Sequence, residues 1–567
     1  MKKIFLLLLP TIILITFKKL YSQTVAFSNS VGGQQFDQTM GVTLDVNGNI
    51  ITTGYFAATA DFNSSSTADS LVTSTGSNDI FVLKNDSAGN FLWAFCIGGT
   101  LDEFNYTSPI TDAAGNIYLC GVYSDTVDFD PSPVSEYKLV SIGQYDGFIA
   151  KYNTSGGFVW AKSFGGLYND DVYHLSNANN GDILFAASYN DSADLNPDTA
   201  SITMYYSNGN TDIFFGRISS AGNIIWIKTM GGTDYDHPNS ISENYLGEII
   251  LQGGFTTSFD ADPGTATHNI TGTNAPGFIA KYTQTGNYVW AHGYNSLSPF
   301  SSISDAAGNI YSCGYINDNT DLDPGPDTNK VFVIGSFDAY LAKYDINGNY
   351  IRAFGIGSTS FDIAFGINFI NNNQIIVGGY FYNSVDFNPS PSITNALTSY
   401  GMGDIFIAQY DTAFNYIHAF KAGSAQFDFC RNITVSPNQN LIIVGGFSDV
   451  ADFDPTATMQ TLTCSGVRDG YTVKYGNVPI SINNIKLPDQ YLKIYPNPAH
   501  DFITITCNKN LTLQKVSIFS VDGRLVKNMQ LTSLSSYQIN IADLSIGFYF
   551  LKIENQININ PVKFFKY

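Results

Sequence analysis

The sequence predicts an all-β protein, a seven-bladed β-propeller closed by an N-terminal outer strand and followed by a small antiparallel β-sandwich. Three observations lead there. An element reading DGFIAKY at residues 146–152 recurs seven times, with copies beginning at Asp79, Asp146, Asp212, Pro276, Asp338, Asp404 and Asp469, spaced 67, 66, 64, 62, 66 and 65 residues apart. Self-similarity at a fixed period marks a supersecondary module that buries its apolar faces against its neighbours. A second element, FVWAKSFGG at 158–166, follows six of the seven copies, but the last copy, DGYTVKY at 469–475, has none. An orphan version, VAFSNSVGG, stands instead at 25–33. A surplus at one end that matches a deficit at the other is how a circular array joins its ends.

The chain opens with Lys2 and Lys3, an apolar run from Ile4 to Phe17, then Lys18 and Lys19. This reads as a secretory signal peptide over residues 1–22, cut near Ser22. The apolar run of 14 residues is shorter than the ~20 needed to span a bilayer. No later stretch is long or apolar enough, so the mature chain is expected to hold no transmembrane segment.

Residues 23–477 form the repeat region. Each repeat begins with a short apolar stretch, a DxxGN turn and a second strand, as in TLDVNGNIITTGYF at Thr43, TDAAGNIYLCGVY at Thr111 and SDAAGNIYSCGYI at Ser304. Gly and Asn there permit the positive φ of a tight hairpin. The third and fourth strands, FIAKY and FVWAK, join through similar turns, NTSGG at Asn153 and DINGN at Asp345. Four strands per module follow, rich in Ile, Val, Phe and Tyr and without helical period. A ring of such antiparallel sheets is a propeller, which leaves only short protected edges. If strands alternate up and down, the connection from strand two to three and the connection between modules emerge on one face, opposite the tight turns. Long, variable loops on that face are the expected place for binding.

The recurring order of a Gly pair, an Asp about four residues on, xDxxGNIYxxG, DF and DxFIAKY resembles the bacterial seven-bladed β-propeller repeat family over roughly residues 24–475. The resemblance implies that the strand before DxxGN is innermost and FVWAK outermost. Residues 25–33 would then complete the blade whose other strands lie between Asn432 and Tyr475.

Charge is uneven: residues 23–479 carry 43 acidic and 14 basic side chains, whereas 480–567 carry 5 and 9. So acidic a repeat region argues against nucleic acid as a partner. Its acids concentrate in two places. A D-Φ-[D/N]-P motif follows the second strand, as at Asp128 and Asp130, Asp260 and Asp262, Asp321 and Asp323, and Asp452 and Asp454, with DLNP at Asp194 and DFNP at Asp386. An acid also follows the Gly pair at Asp37, Asp102, Asp170, Asp236, Asp362 and Asp428, and is missing from 294–298. Asp and Asn cap their own backbone, Pro fixes φ and the apolar residue fills a gap, so these read first as turn devices. Calcium is the second reading, since paired carboxylates are its ligands, although no loop matches the twelve-residue calcium signature.

Catalysis finds little support. The six histidines fall at unrelated places in the repeat, and neither GxSxG nor HExxH occurs. Lys151, Lys281, Lys343 and Lys474 read as repeat architecture, and Trp93, Trp160, Trp226 and Trp290 as anchors between modules. The six cysteines form no CxxC pair, and Cys120 and Cys313 hold the same place in modules three repeats apart, so both read as small core residues. The one irregular stretch runs from Ala275-Pro276-Gly277 to Gly293, where the usual acid and the Gly pair are both absent.

Residues 478–489, holding Pro479 and Pro488, read as a linker. From 490 the pattern changes to alternating apolar and polar strands with a turn at Asp522-Gly523, a small antiparallel sandwich. YPNPAHDFITI, SVDGRLV, DLSIGFYFLKI and the basic-aromatic end VKFFKY, in this order, resemble the type A sorting domain of the type IX secretion system of the Bacteroidota. Tyr495, Pro496, Asn497, Pro498, Asp522, Gly523, Leu544, Gly547, Tyr549, Lys563 and Lys566 carry the resemblance. It implies the type IX machinery as a partner, passage through the periplasm, and release or display outside the cell. The whole chain is therefore expected to be a secreted or surface-displayed binding or adhesion module with an unknown extracellular ligand. An extracellular hydrolase or lyase with an acidic site on the loop-rich face is the alternative.

Overall fold

The computed structural model describes residues 23–65, 68–197, 203–456, 458–476, 492–507, 515–520, 525–530, 536–554 and 559–567. The expected signal peptide, the expected linker, and Asp522 and Gly523 lie outside the described residues. The chain divides into two compact units, Met1–Pro479 and Ile480–Tyr567.

The first unit is built from sets of four antiparallel strands, one per repeat. The first set is Gln38–Leu44, Ile50–Asp61, Leu71–Asn85 and Phe91–Ile97, and the third is Asp171–Asn177, Ile183–Asp194, Met204–Ile218 and Ile224–Gly232. The second, fourth, fifth and sixth repeat the pattern, ending on Phe158–Gly166, Tyr288–Tyr294, Tyr350–Ile356 and Tyr416–Ala422. In the seventh set Phe429–Val435, Leu441–Phe447 and Asp469–Gly476 are completed by Thr24–Gly33. The N-terminal strand pairs antiparallel with the last FIAKY-type strand, Val25 opposite Tyr475 and Val31 opposite Gly470. The seventh set thus starts at Phe429, three residues before the Asn432 read from the sequence.

The tight turns form because one Asp satisfies the whole loop. Asp45 Oδ1 accepts the Asn47 and Asn49 amides, both at 2.9 Å, Oδ2 accepts Asn49 Nδ2 at 2.8 Å, and Gly48 takes φ 78°. Asp86, Asp112, Asp305, Asp345 and Asp411 do the same at other turns. Side chains that bond their own backbone in this way specify the turn.

The core lies between consecutive sets. Leu184 and Phe215 of the third set share a buried cluster with Ile241, Leu251 and Phe278 of the fourth. Val42 and Ile50 of the first pack on Ile442 and Val444 of the seventh. Polar bonds repeat at the same junctions. Lys84 Nζ donates to Thr154 O, Lys151 Nζ to Ser220 O, Lys281 Nζ to Ile346 O, Lys343 Nζ to Thr412 O and Lys474 Nζ to Ser87 O, the last joining the seventh repeat to the first. Where an outer strand carries a tryptophan, the ring lies against the turn glycine of the next set, as Trp160 does against Gly222 and Trp226 against Gly286. Phe27 of the N-terminal strand lies against Gly89 in the same way.

The connection from strand two to three is a two-stranded ribbon where the sequence suggested a loop. Thr126–Asp128 pairs with Lys138–Val140, Ser258–Asp260 with Asn269–Thr271, and Val450–Asp452 with Thr461–Thr463. Several ribbons also touch the outer strand of the preceding set, as where Gly231 pairs with Asp260 and Gly165 with Asp194. The spacing hid the ribbons because each side is only two or three residues long.

In the second unit, strands Leu492–Tyr495, Phe502–Cys507 and Ser536–Asn540 form one antiparallel sheet. Leu525–Gln530, Lys515–Ser520, Gly547–Glu554 and Ile559–Lys566 form another. Ile503, Ile505 and Ile539 of the first meet Val516, Ile518, Leu551 and Phe564 of the second in one buried cluster. No helix among the described residues is long and apolar enough to cross a membrane.

Candidate functional site: a cavity lined by bulge residues

The first strand slips register by one residue at the same place in six of the seven sets. The shift falls between Thr39 and Gly41, Val172 and His174, Pro238 and Ser240, Pro299 and Ser301, Ala364 and Gly366, and Cys430 and Asn432. The residues left over are Met40, Tyr173, Asn239, Phe300, Phe365 and Arg431. Tyr106 holds the corresponding place in the second set, three residues after Glu103. An extra residue in a strand leaves the ladder and re-aims its side chain. The partner strand must leave room: a Cβ on Gly54, Gly379 or Gly445 would stand 1.9–2.0 Å from the carbonyl oxygen of Gln38, Ile363 or Phe429. That is the physical reason for the glycine ending NIYxxG.

Tyr106, Tyr173, Asn239, Phe300, Phe365 and Arg431, one from each of six repeats, line a single cavity of about 160 Å³. Thr107, His174, Ser301 and Asn432 complete its wall. Tyr106 and Tyr173 stack with centroids 5.7 Å apart, and Phe300 and Phe365 lie tilted at 5.1 Å. The Arg431 guanidinium sits 4.7 Å from the centre of the Phe365 ring, and its Nη2 donates to Tyr106 O at 3.1 Å. Asn239 Nδ2 donates to Pro299 O at 2.8 Å. Burial and the Arg431 charge push the His174 imidazole down to about 4, which keeps it neutral. Nearby, Arg468 lies among the rings of Phe36, Phe427 and Phe429 at 4.9, 5.3 and 5.2 Å.

The acids after the Gly pair brace the sets around this cavity. Asp170 Oδ2 accepts the Gly166 amide at 2.6 Å and Oδ1 the Asn190 amide at 3.0 Å, and Asp37, Asp362 and Asp428 bridge in the same way. In the second repeat Glu103, and not Asp102, is the bridging acid. Its Oε2 accepts the Gly99 amide at 2.8 Å, while Asp102 is turned toward Asn78. The i to i+4 spacing decides between them. Each bridge sits beside the Asp that opens a FIAKY-type strand, and the first glycine of the pair is small because that carboxyl fills the space: a Cβ on Gly165 would lie 2.4 Å from Asp146 Cγ. Burial is the main cause that raises Asp146 to about 6 and Asp170 to about 8, with the amide bonds working against it and the two carboxylates raising Asp170 further. Glu103 rises to about 7 and Asp236 to about 7 for the same reasons.

At the fourth-to-fifth junction all of these features change together. Pro276 replaces the strand Asp. Tyr294 faces Gly277 as Phe164 faces Gly147, so Asn295-Ser296 replace the glycine pair. Pro299 faces Gly314 as Val172 faces Ala187, so Leu297 takes the bridging acid's place, and the buried Tyr294 and Leu297 pack with Leu322, Val331 and Tyr344. An apolar plug stands where the other junctions hold carboxyls.

The paired aspartates of the D-Φ-D-P motif lie at the ribbon tips. Asp128 Oδ1 accepts the Asp130 and Tyr137 amides, Asp260 those of Asp262 and His268, Asp321 those of Asp323 and Asn329, and Asp452 those of Asp454 and Gln460. Asp130, Asp262, Asp323 and Asp454 cap the amides of Ser132, Gly264, Gly325 and Thr456. The apolar residue between them is buried, and in three of these four ribbons the FIAKY-type Tyr bonds its carbonyl: Tyr152 to Phe129 O, Tyr282 to Ala261 O and Tyr475 to Phe453 O. Among the described residues no group of three His, Cys, Asp or Glu converges as metal ligands would.

In the second unit Asn497 Oδ1 accepts the Phe565 amide at 3.0 Å, beside Tyr495, Pro496 and Pro498, which are exposed. Tyr549 donates to Ser545 O at 2.8 Å, Leu544 packs on the sandwich core, Gly547 opens a strand, and the buried Lys566 bonds Tyr567 O. Lys563 falls in the last strand. Residues 493–565 match the family described as a secretion system C-terminal sorting domain. The C-terminal unit is a type IX secretion sorting domain. The chain is accordingly secreted to the outer cell surface or the extracellular space.

The repeat region has relatives of another kind. The chain is 24% identical to an uncharacterized WD repeat-containing protein of Acanthamoeba polyphaga mimivirus, over 80% of this chain and 38% of that one. It therefore spans well under half of that relative's length. Among solved structures it is similar to the extracellular domains of the putative one component system BT4673 and the putative hybrid two component system BT3049 of B. thetaiotaomicron. BT4673 is 10% identical with 96% and 99% of the two chains covered and a TM-score of 0.16, and BT3049 is 10% identical with 95% and 99% covered and a TM-score of 0.15.

Of the cavity residues, sequence reasoning reached none. The signal was present: three residues after the bridging acid an otherwise repeating strand reads Met40, Tyr106, Tyr173, Asn239, Phe365 and Arg431.

Proposed function

We propose that the repeat unit is a seven-bladed β-propeller, closed by Thr24–Gly33, that works outside the cell as a binding module with its ligand in the bulge-lined cavity. The pairing of Thr24–Gly33 with Asp469–Gly476 and the Lys474 bond to Ser87 support closure. One observation carries the binding reading: six repeats send the residue at one structurally equivalent position into one cavity, and that position varies between Tyr, Phe, Asn and Arg while its surroundings repeat. A repeating scaffold with variation confined to one concave spot is what recognition needs. No carboxylate is among the lining residues, and glycoside hydrolysis uses two flanking the scissile bond, so the lining favours binding over hydrolysis.

The test is a ligand screen by titration calorimetry with the full chain and with Tyr173→Ala and Phe300→Ala. Loss of about 10-fold or more in affinity with an unchanged unfolding midpoint supports the cavity as the site. Ligands that bind both variants as tightly as the parent count against it. For the ribbon aspartates, thermal unfolding at millimolar calcium is the discriminating measurement: an upward shift assigns them to calcium, and an unchanged midpoint leaves them as turn clamps.

A further inference from the structure

Arg431 is the one charged side chain in the cavity wall, and among the described residues it has no carboxylate partner. Within the wall its hydrogen bond runs to a backbone carbonyl, Tyr106 O, from Nη2 at 3.1 Å, and not to a carboxylate. Desolvation pulls it below the usual guanidinium range, to about 10, and it stays charged at neutral pH. A polar atom in the same wall is unspent: His174 Nδ1 is shut off from solvent and has no partner. A buried polar atom without a partner is costly, and one in a cavity wall is met by whatever enters the cavity. The rest of the wall is flat and aromatic. At about 160 Å³ the space is close to that of an engineered cavity, ~150 Å³, that takes a benzene.

We propose that the cavity binds a small ring-bearing carboxylate, its carboxyl on Arg431 and its ring among Tyr106, Tyr173, Phe300 and Phe365. This rests on the reading of the cavity as the binding site and adds the charge and size of what enters it. A guanidinium meets a carboxylate through paired, charge-assisted bonds that a neutral hydroxyl does not reproduce, while an aromatic wall accepts either an arene or the apolar face of a sugar. The ring can therefore be either, and the shared chemistry is the carboxylate.

Calorimetry on the full chain with four probes decides it: benzoate, benzyl alcohol, glucuronate and glucose. The expected result is that at least one carboxylate binds about 10-fold or more tightly than its neutral counterpart, and that Arg431→Gln removes that preference. Which carboxylate binds tells an aromatic acid from an acidic sugar. Equal binding of charged and neutral probes keeps the cavity as the site and overturns the charge assignment. Failure of all four at 10 mM overturns the assignment of size and class, leaving the cavity reading to the wider screen with Tyr173→Ala and Phe300→Ala. Because Arg431→Gln also loses the bond to Tyr106 O, the comparison of charged with neutral probes on the unaltered chain stands whether or not that variant folds.

Discussion

Single residues in this molecule are chosen in pairs. Gly165 is small because Asp146 stands against it, and Asp146 is tolerated because the Ile142 amide donates to it. Gly165→Ala should therefore destabilise the chain by about 1–3 kcal/mol in urea unfolding, the range for forcing atoms into a packed site. In an Asp146→Ala background the same change should cost at least about 1 kcal/mol less, since the carboxyl it strikes is gone. Additive effects would show that the contact does not set the glycine. The fourth junction already contains the natural form of this experiment, with Pro276 at the place of Asp146 and Asn295 at the place of Gly165.

The sequence displayed the residue types of that arrangement and hid their roles. A Gly pair and an Asp four residues later are plainly visible, but Asp102 and Glu103 both fit by eye. Only the hydrogen bond from the Gly99 amide separates them. Arg431 was harder still, because a bulge changes which side chains line a space without changing composition.

At the scale of strands, the junction acids give the fold a direction of pH dependence. Burial raises Asp37, Asp146, Asp212, Asp362 and Asp428 to about 6, Glu103, Asp236 and Asp404 to about 7, and Asp170 to about 8. These acids hold protons more tightly folded than unfolded. The stability tied to them is complete below the unfolded value near pH 4 and is lost as pH rises through 6 to 8. The turn acids oppose this only at low pH. For Asp45 burial is outweighed by Lys84, Asn49 and Asn47, so its carboxylate lies below the ordinary value and its contribution is lost as pH falls under 4. The urea midpoint should therefore fall between pH 5 and pH 8, by at least about 3 kcal/mol in unfolding free energy, and Asp170→Asn should flatten the slope. A midpoint that rises over that range contradicts the account.

The strand Thr24–Gly33 makes a second prediction. Deleting these 10 residues strips the seventh set of its fourth strand and removes Phe27 from Gly89. Unfolding should begin at lower temperature and in two steps, with amides of Asp469–Gly476 exchanging early in hydrogen-exchange measurements. Unchanged melting and protection would mean the strand is an ornament. This strand was legible from the sequence because a surplus and a deficit matched. The ribbons were not, because two- and three-residue strands leave no alternation to read.

For the whole molecule, the account is a division of labour. A C-terminal unit directs the chain out of the cell, and a repeat unit presents one cavity whose lining departs from the repeat at one position per module. Repetition made the architecture readable, since errors in any one module were corrected by six others. The site was unreadable for the same reason: it is the place where averaging over repeats erases the signal. The ligand-bound crystal structure of the full chain, soaked in turn with the ring carboxylates and neutral rings, tests this most directly. The account predicts density between Tyr106, Tyr173, Phe300 and Phe365 with the carboxylate on Arg431. Density on the ribbon face or at the outer strands, with the cavity empty at saturating ligand, would contradict it.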